Sequence, residues 1–296
     1  MTTPERCVLC PRQCGAIRGE EAGTGFCRLP SVLKIARVAP HIWEEPPISG
    51  RRGTGAVFFS GCTLRCVYCQ NAPISHRNEG RPFTVPELAD SLRRLVDMGM
   101  QTISFITATP WVYQVLEALE LYRPPVPVVW NTSGYETVET LRLLEGAVDV
   151  YLPDLKHRSE AMGRLCAAAP DYFEVATRAI AEMVRQTGTP VYQEDGIMAR
   201  GTLIRHLILP GLTTESIQLL DWVHDALPEG VPVSLMRQYT PCNDIQIKGL
   251  DRKITAREYH RVRDHMLQLG LPGFLQEPTS AFEGFIPVFC RDESFV

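Results

Sequence analysis

The sequence predicts an α/β protein: about six strand–helix units in succession, preceded by a cysteine-rich N-terminal segment. Three observations predict it. From residue 56 onward, short apolar runs alternate with amphipathic stretches. The runs are apolar throughout, as in a parallel sheet covered by helices on both faces. The texture also changes near residue 50: residues 1–50 are rich in Cys, Gly and Pro with little periodicity, while residues 51–296 carry the alternation. The expected division is therefore 1–50 as a metal-binding segment and 51–296 as the core.

The elements follow in order. Ala56-Val-Phe-Phe-Ser60 is a short apolar run stopped by Gly61, which reads as a buried strand. Pro86 to Gly99 reads as a helix: Thr84 is placed to cap it, Leu88, Leu92 and Leu95 share a face, and Gly99 stops it. Strand-like Thr102–Thr107 precedes a helix from Pro110 to about Leu121. The pairing recurs as Val126–Asn131 with Thr137–Leu144, and as Val148–Leu152 with Asp171–Gln186. Leu203–Leu209 with Thr214–Leu227 and Val231–Met236 with Thr255–Leu269 complete the series. Six units are fewer than the eight of a closed barrel, so a doubly wound open sheet is the alternative. Either architecture puts chemistry at the C-terminal ends of the strands.

Composition bounds the function. Of 296 residues, 45% are hydrophobic and 22% charged, enough to bury a full core. Thirty Lys and Arg against 34 Asp and Glu leave a net charge of −4, which argues against a nucleic-acid-coating surface. No apolar run reaches the length of a membrane span, and the N-terminus lacks the apolar centre of a signal peptide. A cytoplasmic location is expected, where thiols stay reduced. Ten cysteines there point to metal rather than disulfides, and seven fall within the first 69 residues.

Cys62-Thr-Leu-Arg-Cys66-Val-Tyr-Cys69 follows the first strand directly. Three thiolates on one loop can each bind a different iron of one cubane, whereas a 4Fe–4S cluster normally takes four Cys ligands. One iron is then left to a non-protein ligand. A zinc loop or three structural thiols is the bland alternative.

This spacing resembles the radical S-adenosylmethionine (SAM) superfamily, in which SAM's amino and carboxylate groups bind the open iron. Cys7-x-x-Cys10-Pro11, Gly25-Phe-Cys27-Arg28, Phe59-Ser-Gly-Cys62, Cys69-Gln-Asn71, Asn131-Thr-Ser-Gly-Tyr135, Leu152-Pro-Asp154-Leu-Lys156, Ile204-Arg205-His206 and Leu235-Met-Arg-Gln-Tyr-Thr-Pro241 extend the likeness over nearly the whole chain. Together they resemble an uncharacterised branch related to pyruvate formate-lyase activating enzyme. That resemblance implies a partial (β/α)6 TIM-type barrel, SAM-dependent hydrogen abstraction and an electron donor such as flavodoxin or ferredoxin. It also implies roles: Tyr68 flanking adenine, Asp154 and Lys156 near SAM, Arg205 holding SAM's carboxylate through its bidentate fork, and Asn131 and Ser133 near the ribose. Each of these polar residues has a structural alternative as a helix cap. One stretch departs. Activating enzymes carry Gly-Gly-Glu-Pro after the second strand, where this chain has Thr107-Ala-Thr109-Pro110; the two threonines remain able to accept bonds from SAM's amino group.

Cys7, Cys10, Cys14 and Cys27 make a complete set of four soft ligands for a second metal, zinc or iron–sulfur, which sequence does not separate. Cys166, Cys242 and Cys290 read as core or loop thiols, with Cys242 placed after the sixth strand. His41, His76, His157 and His206 read as structural, as do Trp43 and Trp111. Three functions compete: a radical SAM enzyme acting on a protein or peptide, one acting on a small metabolite, and a non-catalytic zinc-ribbon module.

Overall fold

In the computed structural model, which describes residues 6–20, 22–243, 245–276, 287 and 289–296, the strands are β1 (Leu33–His41), β2 (Thr54–Phe59), β3 (Arg81–Phe83), β4 (Thr102–Ile106), β5 (Val128–Thr132), β6 (Val150–Pro153), β7 (Val191–Tyr192), β8 (Met198–Thr202), β9 (Ile204–Leu207), β10 (Val233–Met236) and β11 (Gly273–Leu275). The helices are α1 (Pro46–Ser49), α2 (Ala72–Ser75), α3 (Val85–Asp97), α4 (Val112–Leu121), α5 (Val138–Leu143), α6 (Glu160–Ala167), α7 (Tyr172–Thr187), α8 (Thr213–Ala226) and α9 (Ala256–Gln268). Residues 1–5 of the stretch read for a leader lie outside the described residues.

Parallel pairing runs β2-β4-β5-β6-β8 and then β9-β10-β11. β8 and β9 are separated by Leu203 alone, and a parallel bridge from Asp154 to Arg205 joins the two sheets into one run. This is a partial TIM-type barrel. All six expected units are present, and β8 and β11 add two further parallel strands. β1 lies antiparallel on β2, β3 antiparallel on β1, and β7 antiparallel on β8.

The sheet separates two cores. Phe105, Trp130 and Tyr151 pack outward against Leu92 and Leu95 of α3, Val112 and Val115 of α4 and Met183 of α7. Val129, Val150, Leu152, Met198 and Leu203 surround Ile48, which α1 sends inside. Burying that Ile contributes about 1.5–3 kcal/mol, enough to hold the β1–β2 connection in the barrel. α3 starts at the cap the sequence places for it. The Thr84 side chain accepts from the Glu87 amide while the Glu87 carboxylate accepts from the Thr84 amide, and Thr255 with Glu258 repeats the device at α9.

Several elements escaped the periodicity, β1, β8, α6 and β11 among them. β1 falls inside the segment read as loop, so residues 33–50 belong to the sheet and its plug rather than to a separate N-terminal unit. Its register shifts between Ile35 and Arg37, which breaks the inside–outside alternation that marks a strand. α6 lies in the stretch between Leu152 and Asp171, to which the sequence reading assigned no element, and β11 is too short to show a period. Residues 6–20 and 22–32 form no helix or strand. No described helix is long and apolar enough to cross a membrane.

Candidate active site

β2 ends at Phe59, and the chain turns through Gly61 with φ +85°. A Cβ there would lie 2.4 Å from the Leu29 side chain, so glycine is needed both for the turn and for the approach of the N-terminal segment. The loop carrying Cys62, Cys66 and Cys69 is pinned on two sides. The amides of Arg65 and Val67 donate to the carbonyls of Ala167 and Cys166 at the end of α6 (3.2 and 2.9 Å). The Arg65 guanidinium donates to the carbonyls of Ser75 (3.0 Å) and Phe26 (2.8 Å). Ser75 Oγ lies 3.1 Å from Cys69 Sγ.

Burial pushes all three thiols up, Cys62 to about 11, and their mutual proximity raises Cys62 and Cys66 further. The Lys156 ammonium opposes this at each of them. Among the described residues, no three His, Cys, Asp or Glu side chains converge on a single ion. A cubane asks for a different arrangement, one thiolate per iron. Three clustered soft donors with a fixed cation beside them fit such a group.

Beside the loop, the C-terminal ends of the strands gather Asn131 from β5, Asp154 and Lys156 from beyond β6, and Arg205 from β9. Arg205 is the hub. Its Nε donates to Asp154 Oδ1 (2.9 Å), Nη2 to Asn131 Oδ1 (2.8 Å) and Nη1 to Glu44 Oε2 (3.4 Å). Asn131 Nδ2 donates to Glu44 Oε1 (2.9 Å), and Lys156 pairs with Asp154 Oδ2. Burial alone would push the Asp154 carboxyl up, but Arg205 and Lys156 reverse that and hold it below its usual range. Burial lowers Arg205 and Lys156 too, and their acidic partners more than offset it.

Glu44 and Glu45 come from the β1–β2 connection, held inside by Ile48. Sequence reading missed both, because an acidic pair in a Pro-rich, aperiodic stretch normally faces water. Burial raises both carboxyls, Glu45 to about 7. Glu45 Oε2 is buried without a partner. Three acids, Glu44, Glu45 and Asp154, thus face two bases, Lys156 and Arg205. Protonating Glu45 leaves the buried set neutral, the arrangement a low-dielectric interior favours.

The remaining expected residues sit apart from this hub. Thr109 is buried and its hydroxyl donates to Glu136 Oε1 (2.6 Å), which Thr132 also engages, so it belongs to a separate cluster and not to the Arg205 network. Thr107 directly follows β4 at φ +61°, and its amide donates to the Asn131 carbonyl (2.9 Å). A β-branched residue there is strained, where the activating-enzyme pattern has glycine. The Ser133 carbonyl accepts from the Tyr172 hydroxyl (2.8 Å). Tyr68 is buried with its hydroxyl 3.0 Å from His157 Nε2 and its ring edge-on to Tyr239. Cys242 and Cys69 lie within electrostatic reach, and Asn243 Nδ2 donates to the Cys69 carbonyl (2.8 Å), so the loop after β10 closes over the cysteine loop.

Cys7, Cys10, Cys14 and Cys27 share one neighbourhood. Burial pushes the Cys10 thiol up to about 12, with Cys7, Cys27 and Cys14 raising it further. The segment docks onto the barrel rather than hanging from it. Arg12 Nε donates to the Thr63 carbonyl (3.1 Å), Arg18 Nη1 to that of Pro110 (2.6 Å), and Thr140 Oγ1 to that of Leu9 (2.9 Å).

Over residues 56–223 the chain matches the radical SAM superfamily. It is 27% identical over 268 residues to an uncharacterised protein of Methanocaldococcus jannaschii, covering 87% of this chain and 73% of that one. Over 100 residues it is 34% identical to a 7-carboxy-7-deazaguanine synthase of Methanothermobacter thermautotrophicus, covering 34% of this chain and 40% of that one. Among solved structures it resembles a radical SAM methyltransferase from Sphaerobacter thermophilus, with a TM-score of 0.52 and 14% identity. That likeness spans 75% of this chain and 66% of the other, and is one of fold.

Proposed function

The chain belongs to the radical SAM superfamily, and from that premise we propose that Cys62, Cys66 and Cys69 hold a 4Fe–4S cluster whose fourth iron is open to SAM. When bound, the two cofactors supply one-electron cleavage of the sulfonium to methionine and a 5′-deoxyadenosyl radical that takes hydrogen from substrate. The observation that carries this reading is the thiol triad at the end of the first barrel strand with Lys156 beside all three.

The chain's own residues have distinct tasks. Arg65 and the end of α6 fix the loop's shape. Lys156 balances the negative charge of three thiolates. Arg205, held by Asp154, Glu44 and Asn131, presents its remaining N–H groups to the SAM carboxylate. Tyr68, oriented by His157, offers a rigid wall to the adenine. Cys7, Cys10, Cys14 and Cys27 hold a second metal, zinc or iron–sulfur, that orders a segment without regular structure.

The substrate we assign is a protein or peptide, as in the activating enzymes whose motifs the chain resembles. The stretch shared with 7-carboxy-7-deazaguanine synthase supports a second reading, a small heterocyclic metabolite. Reconstituted protein given SAM and dithionite separates them, with extracts of the source cells divided by ultrafiltration. On the first reading only the macromolecular fraction raises 5′-deoxyadenosine release above basal, and protease treatment removes the effect. Stimulation by the small-molecule filtrate alone would replace it with the second.

A further inference from the structure

Arg65, Phe26, Arg12, Tyr135 and Tyr172 form one column of guanidinium and aromatic groups. The Arg65 guanidinium, on the three-cysteine loop, stands 5.1 Å from the centre of the Phe26 ring, and that of Arg12 stands 3.9 Å from the same ring. Arg12 is also 5.1 Å from the Tyr135 ring, which stacks on Tyr172 at 6.2 Å with the planes 10° apart. Both ends of the column are tied to the site. Arg65 donates to the Ser75 and Phe26 carbonyls (3.0 and 2.8 Å). The Tyr172 hydroxyl lies 2.7 Å from the Asp154 carbonyl and accepts from the Lys156 amide (3.1 Å). The column thus runs from the loop of Cys62, Cys66 and Cys69 to the turn of Asp154 and Lys156.

Arg12 and Phe26 come from the N-terminal segment. Arg12 lies between Cys10 and Cys14, and its amide donates to the Cys10 sulfur; Phe26 directly precedes Cys27. The two stretches meet closely, since a Cβ on Gly25 would lie 3.0 Å from Cys14 Sγ. Neither has a helix or strand to hold it, so a metal drawing the four cysteines together is what fixes Arg12 relative to Phe26. Arg12 Nε donates to the Thr63 carbonyl of the three-cysteine loop, yet Nη2 is buried with no hydrogen-bond acceptor among the described residues. A guanidinium placed that way relies on the ring faces around it. Removing the Phe26 ring therefore loosens Arg12 and Arg65 together.

Resting on the cluster and the second metal proposed above, we infer that Arg12 and Phe26 are positioning residues through which the filled four-cysteine site holds the three-cysteine loop in its cluster-binding shape. The coupling is reciprocal: metal at the first site slows loss of the cluster from the second, and the cluster in turn tightens the first. The column transmits geometry alone, and no covalent or redox step is involved.

The test starts from anaerobically reconstituted proteins at equal cluster occupancy and follows the cluster's visible absorbance while a ferrous chelator strips it. Phe26→Ala should keep the metal of the four-cysteine site yet lose the cluster about tenfold faster than wild type. Phe26→Tyr, which keeps the ring, should restore the wild-type rate. Cys10→Ala should match Phe26→Ala, and the double variant should be no faster than either single one, because both remove the same link. Val262→Ala, in the core under α9, is the control for general loosening: it should lower the melting temperature and leave the stripping rate unchanged. A wild-type rate in Phe26→Ala overturns the inference, as do additive effects in the double variant or equal acceleration in Val262→Ala. Full metal content in Cys10→Ala overturns it too, since no four-cysteine metal would then exist to act through the column. Wild-type iron content in Cys66→Ala condemns the cluster reading instead. Iodoacetamide labelling of Cys62 and Cys69, in cluster-free protein that holds the four-cysteine metal, then decides the link. Wild type should react about tenfold more slowly than Phe26→Ala, and equal rates overturn the inference.

Discussion

Replacing Arg205 with Met tests whether the polar hub is an integral part of the barrel. The guanidinium contacts Asp154, Asn131 and Glu44 at 2.9, 2.8 and 3.4 Å, and the three charged side chains are only 17%, 15% and 6% exposed. Removing it strands a carboxylate at Asp154 and leaves Asn131 and Glu44 short of a donor. Breaking a buried ion pair from one side costs about 3–5 kcal/mol, whereas a surface pair is worth about 0–1 kcal/mol. At roughly 2–4 °C per kcal/mol for a chain of this class, the melting temperature should fall by about 6–20 °C. The assay is thermal unfolding of metal-free protein followed by circular dichroism, so cofactor binding plays no part. Arg205→Lys should fall between the two, because a single nitrogen keeps the charge but cannot span three partners. A drop under about 3 °C for Arg205→Met would place the pair in the surface class and refute the buried hub.

Further outcomes follow from the acidic pair and the N-terminal cysteines. Glu45 has a folded pKa of about 7, above the usual carboxyl value of 4.5, so the folded protein holds a proton there that the unfolded chain has released. Its contribution to stability is therefore present at low pH and is lost as pH rises through about 7. Glu45→Gln removes that loss: whatever the offset at about pH 5, the variant should gain on wild type by the order of 1–3 kcal/mol by about pH 8, read from urea unfolding at both. A constant gap would show that Glu45 titrates normally. Cys10→Ala should lower metal content and melting temperature more than it lowers 5′-deoxyadenosine yield per intact cluster. Full metal and stability in that variant would remove the four-cysteine site, and loss of iron with the fold retained would make it an electron relay.

Much of this architecture is written locally. β2, β4, β5, β6 and β10 are buried along their whole length, and α3 and α9 spell their capping boxes out in Thr84–Glu87 and Thr255–Glu258. β1 is not legible, because the shift between Ile35 and Arg37 destroys its alternation. At the site, Asn131, Asp154 and Lys156 were within reach because each ends or follows a strand, Arg205 only through the resemblance of its motif to the family's, and the fold gathers all four into one network. Thr109 met the same criterion yet turns to Glu136, since a position after a strand does not say which way a side chain points. Glu44 and Glu45 were invisible for a different reason. Only tertiary packing, Ile48 buried among Val129, Val150 and Leu152, carries a segment of loop composition into the barrel and makes its acids interior.

The central claim is tested most directly by anaerobic reconstitution with iron and sulfide, addition of SAM and dithionite, and chromatographic measurement of 5′-deoxyadenosine for wild type and Cys66→Ala side by side. Wild type should bind a cubane and release 5′-deoxyadenosine even without substrate. Cys66→Ala should release none, because two thiols on the loop cannot hold a cluster with one open iron. Wild-type yield from Cys66→Ala, or no 5′-deoxyadenosine from wild type carrying a full complement of iron and sulfide, would contradict the account.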